Sequence, residues 1–274
     1  HRLESHSLTT GNETRTTTYS YNADGQLASI DGSRVDVSDI TTFTYINNRL
    51  STRTNALGYT ITFENYNAFG NATKITDVNG AVTNLGYDVR GRLTSTTTSL
   101  KVFTFEYDAI GQLTKVTTPS GSSLSYIYND ARRLIKITNA LGESINFTHD
   151  SEGNITKREL KGADDSITNT QQFVFDSINR LSQTVSAASQ TWTNTYDVAG
   201  NLTKQQTPAT TDIENTFDQL KRVTKQLDQA DSSTDYEYNK LNRLTKVTDA
   251  LSRSTTYEYN VFGEITKQTS ADSG

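Results

Sequence analysis

The sequence contains no cysteine, no methionine and only two prolines, and it has few hydrophobic residues for its length. Without cysteine, disulfides and thiolate metal sites are excluded, and no stretch approaches the ~20 apolar residues of a membrane span. Hydrophobic residues make up 33% of the 274 positions, too few for the thick core of a globule of this length. The net charge is only −5, so the composition is not that of a disordered chain either. We therefore expect a thin folded structure with one covered and one solvated face.

What the sequence does contain is one motif repeated twelve times. Each copy opens on an anchor residue, usually aromatic, that is usually followed by Asp or Asn, two variable residues and Gly. The anchors are Tyr21, Tyr45, Tyr66, Tyr87, Tyr107, Tyr128, Phe175, Tyr196, Phe217, Tyr238 and Tyr259, with His149 in the same slot. Their spacings are 24, 21, 21, 20, 21, 21, 26, 21, 21, 21 and 21 residues. Such a period is the signature of a repeat architecture.

The period runs without a linker or a break in composition. It predicts a single array over residues 1–274, with about twelve units of 21 residues between roughly 15 and 270. The chain starts at His1, stops at Gly274 and has no methionine, so we expect a piece of a longer protein.

Each unit reads as strand, turn, strand, turn. The run Thr104–Tyr107 alternates polar and aromatic residues, as does Thr256–Tyr259, which is typical of half-buried strands. The Asx residue can close a turn, and the glycine is free to adopt a positive φ. These turn glycines are Gly25, Gly70, Gly91, Gly111, Gly153, Gly200 and Gly263. A second short strand, such as Leu113–Thr117, and a second turn complete the unit. The prediction is an all-β fold, a repetitive antiparallel β-hairpin ribbon.

One spacing leaves two alternatives open. Leu113 and Val116 are three residues apart, as are Leu244 and Val247, whereas strict alternation would put such residues on opposite faces of the sheet. Either a β-bulge resets the register, or both faces carry apolar side chains.

The repeat resembles the YD repeats, also called Rhs repeats. Their hallmark, Gly-x-x-x-x-Tyr-x-Tyr-Asp-x-x-Gly-Arg-Leu, is similar to residues 86–93 (GYDVRGRL), to Tyr126–Asn129 behind Gly121 and to Tyr257–Asn260. The resemblance spans about residues 15–270. The chain departs from it where Arg132 or Lys221 replaces the glycine, and Tyr45 opens a unit that is one residue short.

The resemblance implies a β-hairpin ribbon that spirals into a hollow shell, barrel or solenoid-like filament. Such shells occur in bacterial Rhs proteins, in the B and C components of toxin complexes and in teneurins. In the bacterial proteins the shell encloses a C-terminal toxin, after a Pro- and Gly-rich segment at which the protein cleaves itself. Pro119 and Pro208 do not lie in such a segment, so the resemblance assigns this chain to the shell wall.

The sequence offers no enzyme signature. It has no Gly-x-Ser-x-Gly, no phosphate-binding loop and no His-Glu-x-x-His, and His1, His6 and His149 are too scattered to bind a metal together. We therefore predict no enzymatic activity and no cofactor. The 26-residue interval contains Asp164 and Asp165, whose carboxylates are candidate ligands of a calcium-binding loop.

Lysine recurs eight residues after the anchor. These positions are Lys74, Lys115, Lys136, Lys157, Lys204, Lys225, Lys246 and Lys267. They form either a basic stripe for an anionic ligand or a solvated face that keeps the sheet soluble, with acids such as Glu106, Glu237 and Glu258 offsetting the repulsion. The anchor aromatics likewise either pack the sheet or stack on sugars.

The main functional hypothesis is a structural scaffold of a large secreted or cell-surface bacterial protein. It would serve as a shell wall around a toxin, or as an extracellular fibre or spacer. Its partners would be other YD-repeat segments or further copies, with an enclosed toxin domain, and the acidic pI of about 5.3 disfavours nucleic acid. No membrane insertion is expected. The alternative is an adhesion module that binds a glycan or a protein receptor.

Overall fold

The computed structural model describes residues 2–10, 13–34, 36–209 and 212–271, and this part of the chain consists of strands, turns and loops. No helix in it has the length and apolar character needed to cross a membrane. The chain divides into two compact units, residues 1–127 and 128–274. The single array predicted from the period stays a prediction.

The strands of the first unit are β1 (Ser5–Thr10), β2 (Glu13–Tyr21), β3 (Leu27–Asp31), β4 (Thr41–Ile46), β5 (Arg49–Thr54), β6 (Thr60–Tyr66), β7 (Ala72–Thr76), β8 (Val82–Tyr87), β9 (Leu93–Thr98), β10 (Lys101–Tyr107), β11 (Leu113–Thr117) and β12 (Ser123–Tyr128). The strands of the second unit are β13 (Leu134–Asn139), β14 (Ser144–His149), β15 (Ile155–Lys161), β16 (Ile167–Phe175), β17 (Leu181–Val185), β18 (Thr191–Tyr196), β19 (Leu202–Gln206), β20 (Asp212–Phe217), β21 (Val223–Leu227), β22 (Ser233–Tyr238), β23 (Leu244–Thr248), β24 (Ser254–Tyr259) and β25 (Ile265–Ser270).

Within each unit, every strand pairs antiparallel with the next one along the chain, as β10 does with β11 and β22 with β23. The all-β hairpin ribbon predicted from the sequence is therefore confirmed. Connections of this kind need only short turns.

The turns share one hydrogen-bonding scheme. In the turn after Tyr87, the N–H of Gly91 donates to the carbonyl of Asp88 at 3.0 Å, and the N–H of Asp88 donates to the carbonyl of Arg92 at 2.9 Å. The side chain of Asp88 accepts from the N–H groups of Arg90 and Arg92. The fourth residue has a positive φ, so the turn is a type I turn followed by a left-handed residue.

Two hairpins use a shorter turn, which accounts for two irregularities of the repeat. Asn47 and Asn48 both have positive φ, and so do Ser99 and Leu100. Two consecutive left-handed residues make the two-residue hairpin turn of type I′. The first explains why the unit of Tyr45 is one residue short, and the second explains the 20-residue interval after Tyr87.

The longest interval has an equally simple cause. The strands β15 and β16 contain seven and nine residues, whereas the equivalent pair β23 and β24 contains five and six. The 26-residue interval between His149 and Phe175 therefore reflects a longer hairpin rather than a longer loop.

A β-bulge explains the three-residue spacing of the aliphatic residues. Tyr238 pairs with Leu244 and Glu237 pairs with Lys246, which leaves Thr245 as an extra residue. Val247 then pairs with Tyr236, so Leu244 and Val247 share a face. The register shifts at the same place in β10, β14, β16, β18, β20 and β24. Of the two alternatives, the bulge is the one observed.

The bulge places unlike side chains on the two faces of the sheet. The aromatic face carries the anchors, the aliphatic residues after the turn and, in most repeats, an aromatic, aliphatic or amide side chain two residues before the anchor. The lysine face carries Lys246 and its cross-strand partner Glu237. No hydrophobic side chain among the described residues is fully buried. The aromatic face is therefore half-buried by its own side chains, as expected of a thin structure.

Candidate functional site, the joint between repeats

The anchors line up on the aromatic face and pair with the residue after the turn. Tyr107 lies opposite Leu113, Tyr196 opposite Leu202, and Phe217 opposite Val223. Tyr21, Tyr45, Tyr66, Tyr87, Phe175 and Tyr259 hold the same position in their hairpins, and Tyr128 begins the second unit. His149 occupies the slot opposite Ile155.

The hydroxyls of eight anchor tyrosines connect their repeats to the preceding ones. The hydroxyl of Tyr238 donates to the carbonyl of Val223 at 2.9 Å, and that of Tyr259 donates to the carbonyl of Leu244 at 2.6 Å. The same bond joins Tyr21 to Leu3, Tyr45 to Leu27, Tyr66 to Leu50, Tyr87 to Ala72, Tyr107 to Leu93 and Tyr196 to Leu181. The accepting residue is usually the one that opens the strand after the earlier turn. Burial of the ring raises the pKa of Tyr238.

Where the anchor is phenylalanine, an amide can replace the missing hydroxyl. Phe217 has no donor, and the side chain of Asn215 donates to the carbonyl of Leu202 at 3.3 Å instead. Asn215 lies two residues before the anchor and therefore on the same face. The carbonyl is thus satisfied by a different residue of the same strand.

The arginine of the Gly-Arg-Leu segment connects its repeat to the following one. Arg222 lies over the ring of Tyr238, 4.6 Å from its centroid, and donates to the carbonyl of Asn239 at 3.3 Å and to Oδ1 of Asn242 at 2.9 Å. Arg92 stands over Tyr107 and donates to the carbonyl of Asp108. Equivalent stacking joins Arg49 to Tyr66, Arg180 to Tyr196 and Arg243 to Tyr259.

The aspartate of the turn orients this arginine. Oδ2 of Asp218 accepts from Nε of Arg222 at 2.7 Å, and the Arg180–Asp176 and Arg92–Asp88 pairs have the same geometry. The bond from the Arg222 side chain holds the pKa of Asp218 below its usual value. For Asp88 and Asp176 the backbone N–H of the following arginine is the main cause of the lowered pKa. These carboxylates therefore serve the turn and the arginine together.

The glycines predicted to close these turns all have positive φ. The values are 81° at Gly25, 85° at Gly70, 78° at Gly91, 98° at Gly111, 102° at Gly153, 86° at Gly200 and 92° at Gly263. Asn179, Asn242, Arg132 and Lys221 take the slot elsewhere with φ of 61° to 63°. The conformation is thus set by the turn.

The lysine column lies on the opposite face and is largely neutralised by acids. Lys74 pairs with Glu64 at 2.8 Å, and Lys157 with Glu159 at 2.5 Å. The acids considered from the sequence pair as well: Lys115 with Glu106, Lys246 with Glu237, and Lys267 with Glu258. Lys204 contacts Asp212 and Glu214, which raise its pKa. For Lys136 and Lys225 no ion pair occurs within the described residues. This arrangement fits a solvated face better than a basic stripe.

No metal site is assembled from the residues that the structure describes, since no three His, Asp or Glu side chains converge in them. Asp164 accepts from the N–H and the hydroxyl of Ser166, and Asp165 pairs with Lys161 at 3.3 Å. Both carboxylates considered for calcium therefore have protein partners.

Sequence reasoning missed the role of the arginines. The only available signal was that Arg recurs just after the turn, at positions 49, 92, 133, 180, 222 and 243, but a surface arginine is usually solvated. It also missed the bulge threonine: the hydroxyl of Thr245 donates to the carbonyl of Glu237 at 3.1 Å, and Thr203 and Thr224 make the same bond.

Solved structures show the same fold at low sequence identity. The Tc holotoxin pore of Photorhabdus luminescens is 15% identical, with a TM-score of 0.74 over 95% of this chain and 15% of that one. The TcdB2–TccC3–Cdc42 complex is 16% identical, with a TM-score of 0.56 over 93% of this chain and 18% of that one. A TcdB2–TccC3 structure is 16% identical and covers 94% and 19% of the two chains with a TM-score of 0.53. The chain thus spans less than a fifth of the length of these proteins.

Family models match the chain along its whole length, although none of the curated protein sequences does. The RHS Repeat model matches residues 217–253 and 238–274. The Teneurin YD-shell model matches residues 1–134 and 60–227, which is most of the chain. The chain therefore belongs to the teneurin YD-shell family, and its Tyr–Asp turns are the repeats of that family.

Proposed function

We propose that this chain is a structural wall segment of a larger YD-repeat protein and has no catalytic role. The observation that carries the proposal is the joint described above. In both compact units of the chain, anchor tyrosine hydroxyls donate to carbonyls of the preceding repeat, and arginines donate to carbonyls of the following one. Because these contacts join successive repeats, the structure is suited to extending a continuous sheet.

Exposed apolar side chains at the turns support this role. Ile178, Val198, Leu220 and Leu241 lie at the tips of successive Tyr–Asp-type turns and are more than half exposed. Leu141 and Leu251 are similarly exposed at tips of the other set of turns. A row of exposed apolar residues marks a surface that is covered in the assembled protein. Other YD-repeat segments, or further copies of the chain, are the partners that we propose.

We propose further that the wall encloses a toxin domain. It is supported by the likeness to chains of a Tc holotoxin, and with it we propose a secreted or cell-surface location in a bacterium. A fibre or spacer would use the same joints. The adhesion alternative, with a glycan or a protein receptor as ligand, stays a prediction.

Electron microscopy of the intact protein tests the proposal. A hollow body that protects an enclosed toxin domain from added protease supports a shell wall, and an open filament supports a fibre. A compact solid particle would refute both forms.

A further inference from the structure

The second unit contains a polar patch on the otherwise aromatic face. In most repeats the residue two before the anchor is aromatic or aliphatic, as Phe105 and Tyr236 are, and its cross-strand partner ranges from Val116 and Val247 to Thr184. In two successive repeats the pair consists of amides instead: Asn194 opposite Gln205, and Asn215 opposite Gln226. Among the described residues only these two repeats have an amide on both strands at this position, so the patch differs from the mainly aromatic surface around it.

The amides form ordered pairs. Nε2 of Gln205 donates to Oδ1 of Asn194 at 3.1 Å, and Nε2 of Gln226 donates to Oδ1 of Asn215 at 3.0 Å. The asparagines donate in turn to the carbonyls of Leu181 and Leu202. An amide has two N–H donors and an oxygen with two lone pairs. Each pair therefore keeps the glutamine oxygen and one N–H of each amide for a ligand, and all four side chains are only half-buried.

Aromatic rings border the patch. Trp192 lies two residues before Asn194, and Tyr236 lies on the strand next to Gln226, both on the aromatic face and half-buried. Planar rings beside fixed amide groups are the usual means of holding a sugar, because the rings stack on its C–H faces while the amides bind its hydroxyls. The four amides are themselves uncharged, which suits a neutral ligand.

We infer that this surface, the amide patch of Asn194, Gln205, Asn215 and Gln226, binds a neutral β-1,4-linked glycan. The two pairs lie two strands apart, about 9.6 Å at the usual strand spacing, which is close to the length of one disaccharide in such a chain. A peptide fits less well, since it would need free backbone groups at a strand edge and the patch is on a sheet face. The inference is independent of the proposed wall function.

Trp192 is the only tryptophan of the chain, so its fluorescence reports on the patch directly. The experiment titrates the whole chain with cellohexaose and follows the emission of Trp192. The test variant Asn215→Leu with Gln226→Val restores side chains of the kind that other repeats carry, so the hairpins should remain folded, which circular dichroism checks. The control Lys225→Gln alters the opposite face next to Gln226 and leaves the patch intact.

Cellohexaose should change the emission of the native chain and of the control with similar dissociation constants. The double variant should bind at least about tenfold more weakly, since it loses several hydrogen bonds to the sugar. The inference is overturned if the emission does not respond, if the folded double variant binds as tightly as the native chain, or if an unstructured Gly–Ser peptide gives an equal response.

Discussion

The contacts of Arg222 with the following repeat, which we call the arginine clasp, allow a quantitative prediction for Arg222→Gln. Glutamine occupies the same slot at Gln26 and Gln112, so the turn accepts it. The substitution removes the stacking on Tyr238 and the bonds to the carbonyl of Asn239 and to Oδ1 of Asn242. Stacking of this kind contributes about 0.5–1 kcal/mol where solvent has access, and each hydrogen bond contributes about 1 kcal/mol. We expect the joint between these two repeats to lose about 2.5 kcal/mol.

Hydrogen exchange followed by mass spectrometry measures this loss where it occurs. Because repeats open locally, amides of β21 and β22 should exchange about sixtyfold faster, at about 1.4 kcal/mol per factor of ten. Strands β13 to β15 should be unchanged. Arg222→Lys should recover only part of the protection, since an ammonium lacks the planar fork.

The control is Lys225→Gln, which also removes one positive charge, here from β21. Lys225 makes no ion pair within the described residues. Its exchange pattern should match that of the native chain. Equal protection in Arg222→Gln and the native chain would refute the clasp, and so would a loss of the same size in Lys225→Gln, because the effect would then come from net charge.

Three further changes test other parts of the fold. Leu100 has a φ of 69° and is 94% exposed, so Leu100→Gly should relieve backbone strain and stabilise the chain by about 0.5–1 kcal/mol in urea unfolding; a loss of stability would contradict the turn assignment. Thr245→Val removes the bond to the carbonyl of Glu237 and should cost about 1 kcal/mol, whereas Thr256→Val, outside a bulge, should cost less. Acid should destabilise the protein through the turn aspartates, whose pKa values are lowered by folding, as at Asp88, Asp176, Asp218 and Asp249. Their contribution is complete above the unfolded pKa of about 3.9 and is lost as the pH falls through the folded values, so the melting temperature should be level from about pH 5 to 7 and fall below about pH 4. Asp218→Asn should melt lower at pH 7 with a shallower acid decline, and an equal decline would contradict this assignment.

The sequence predicted the hairpins because the same local signals recur in every repeat. Three signals predict the same strand and turn: the alternation around Tyr107, the Asx residue Asp108 and the glycine Gly111. Because they recur in most repeats, the prediction is stronger than any single copy would allow. The register was ambiguous because a bulge depends on cross-strand pairing. The extra residue, such as Thr245, is the type of residue that any strand contains.

The contacts between repeats were less predictable, since they join residues 13 to 20 positions apart whose side chains have other common roles. A tyrosine in a strand is expected to pack, and nothing local indicates that Tyr238 donates to Val223. Asn215 illustrates the limit further, because nothing local indicates that its side chain donates to the carbonyl of Leu202 in the preceding repeat. The regular spacing of the lysines suggests a basic stripe, but most of them pair with acidic side chains, and the face is therefore largely neutralised.

The joints also give the ribbon a direction. Where a repeat carries them, the anchor tyrosine donates towards the N-terminal side and the arginine towards the C-terminal side, so such a repeat offers one kind of half-joint at its front and the complementary kind at its back. A whole repeat can then be removed or duplicated with both half-joints restored, as with a link of a chain, while half a repeat leaves two ends that do not match. Such a ribbon can change its length in evolution in steps of 21 residues, the spacing between most of its anchors, without new contacts having to be found.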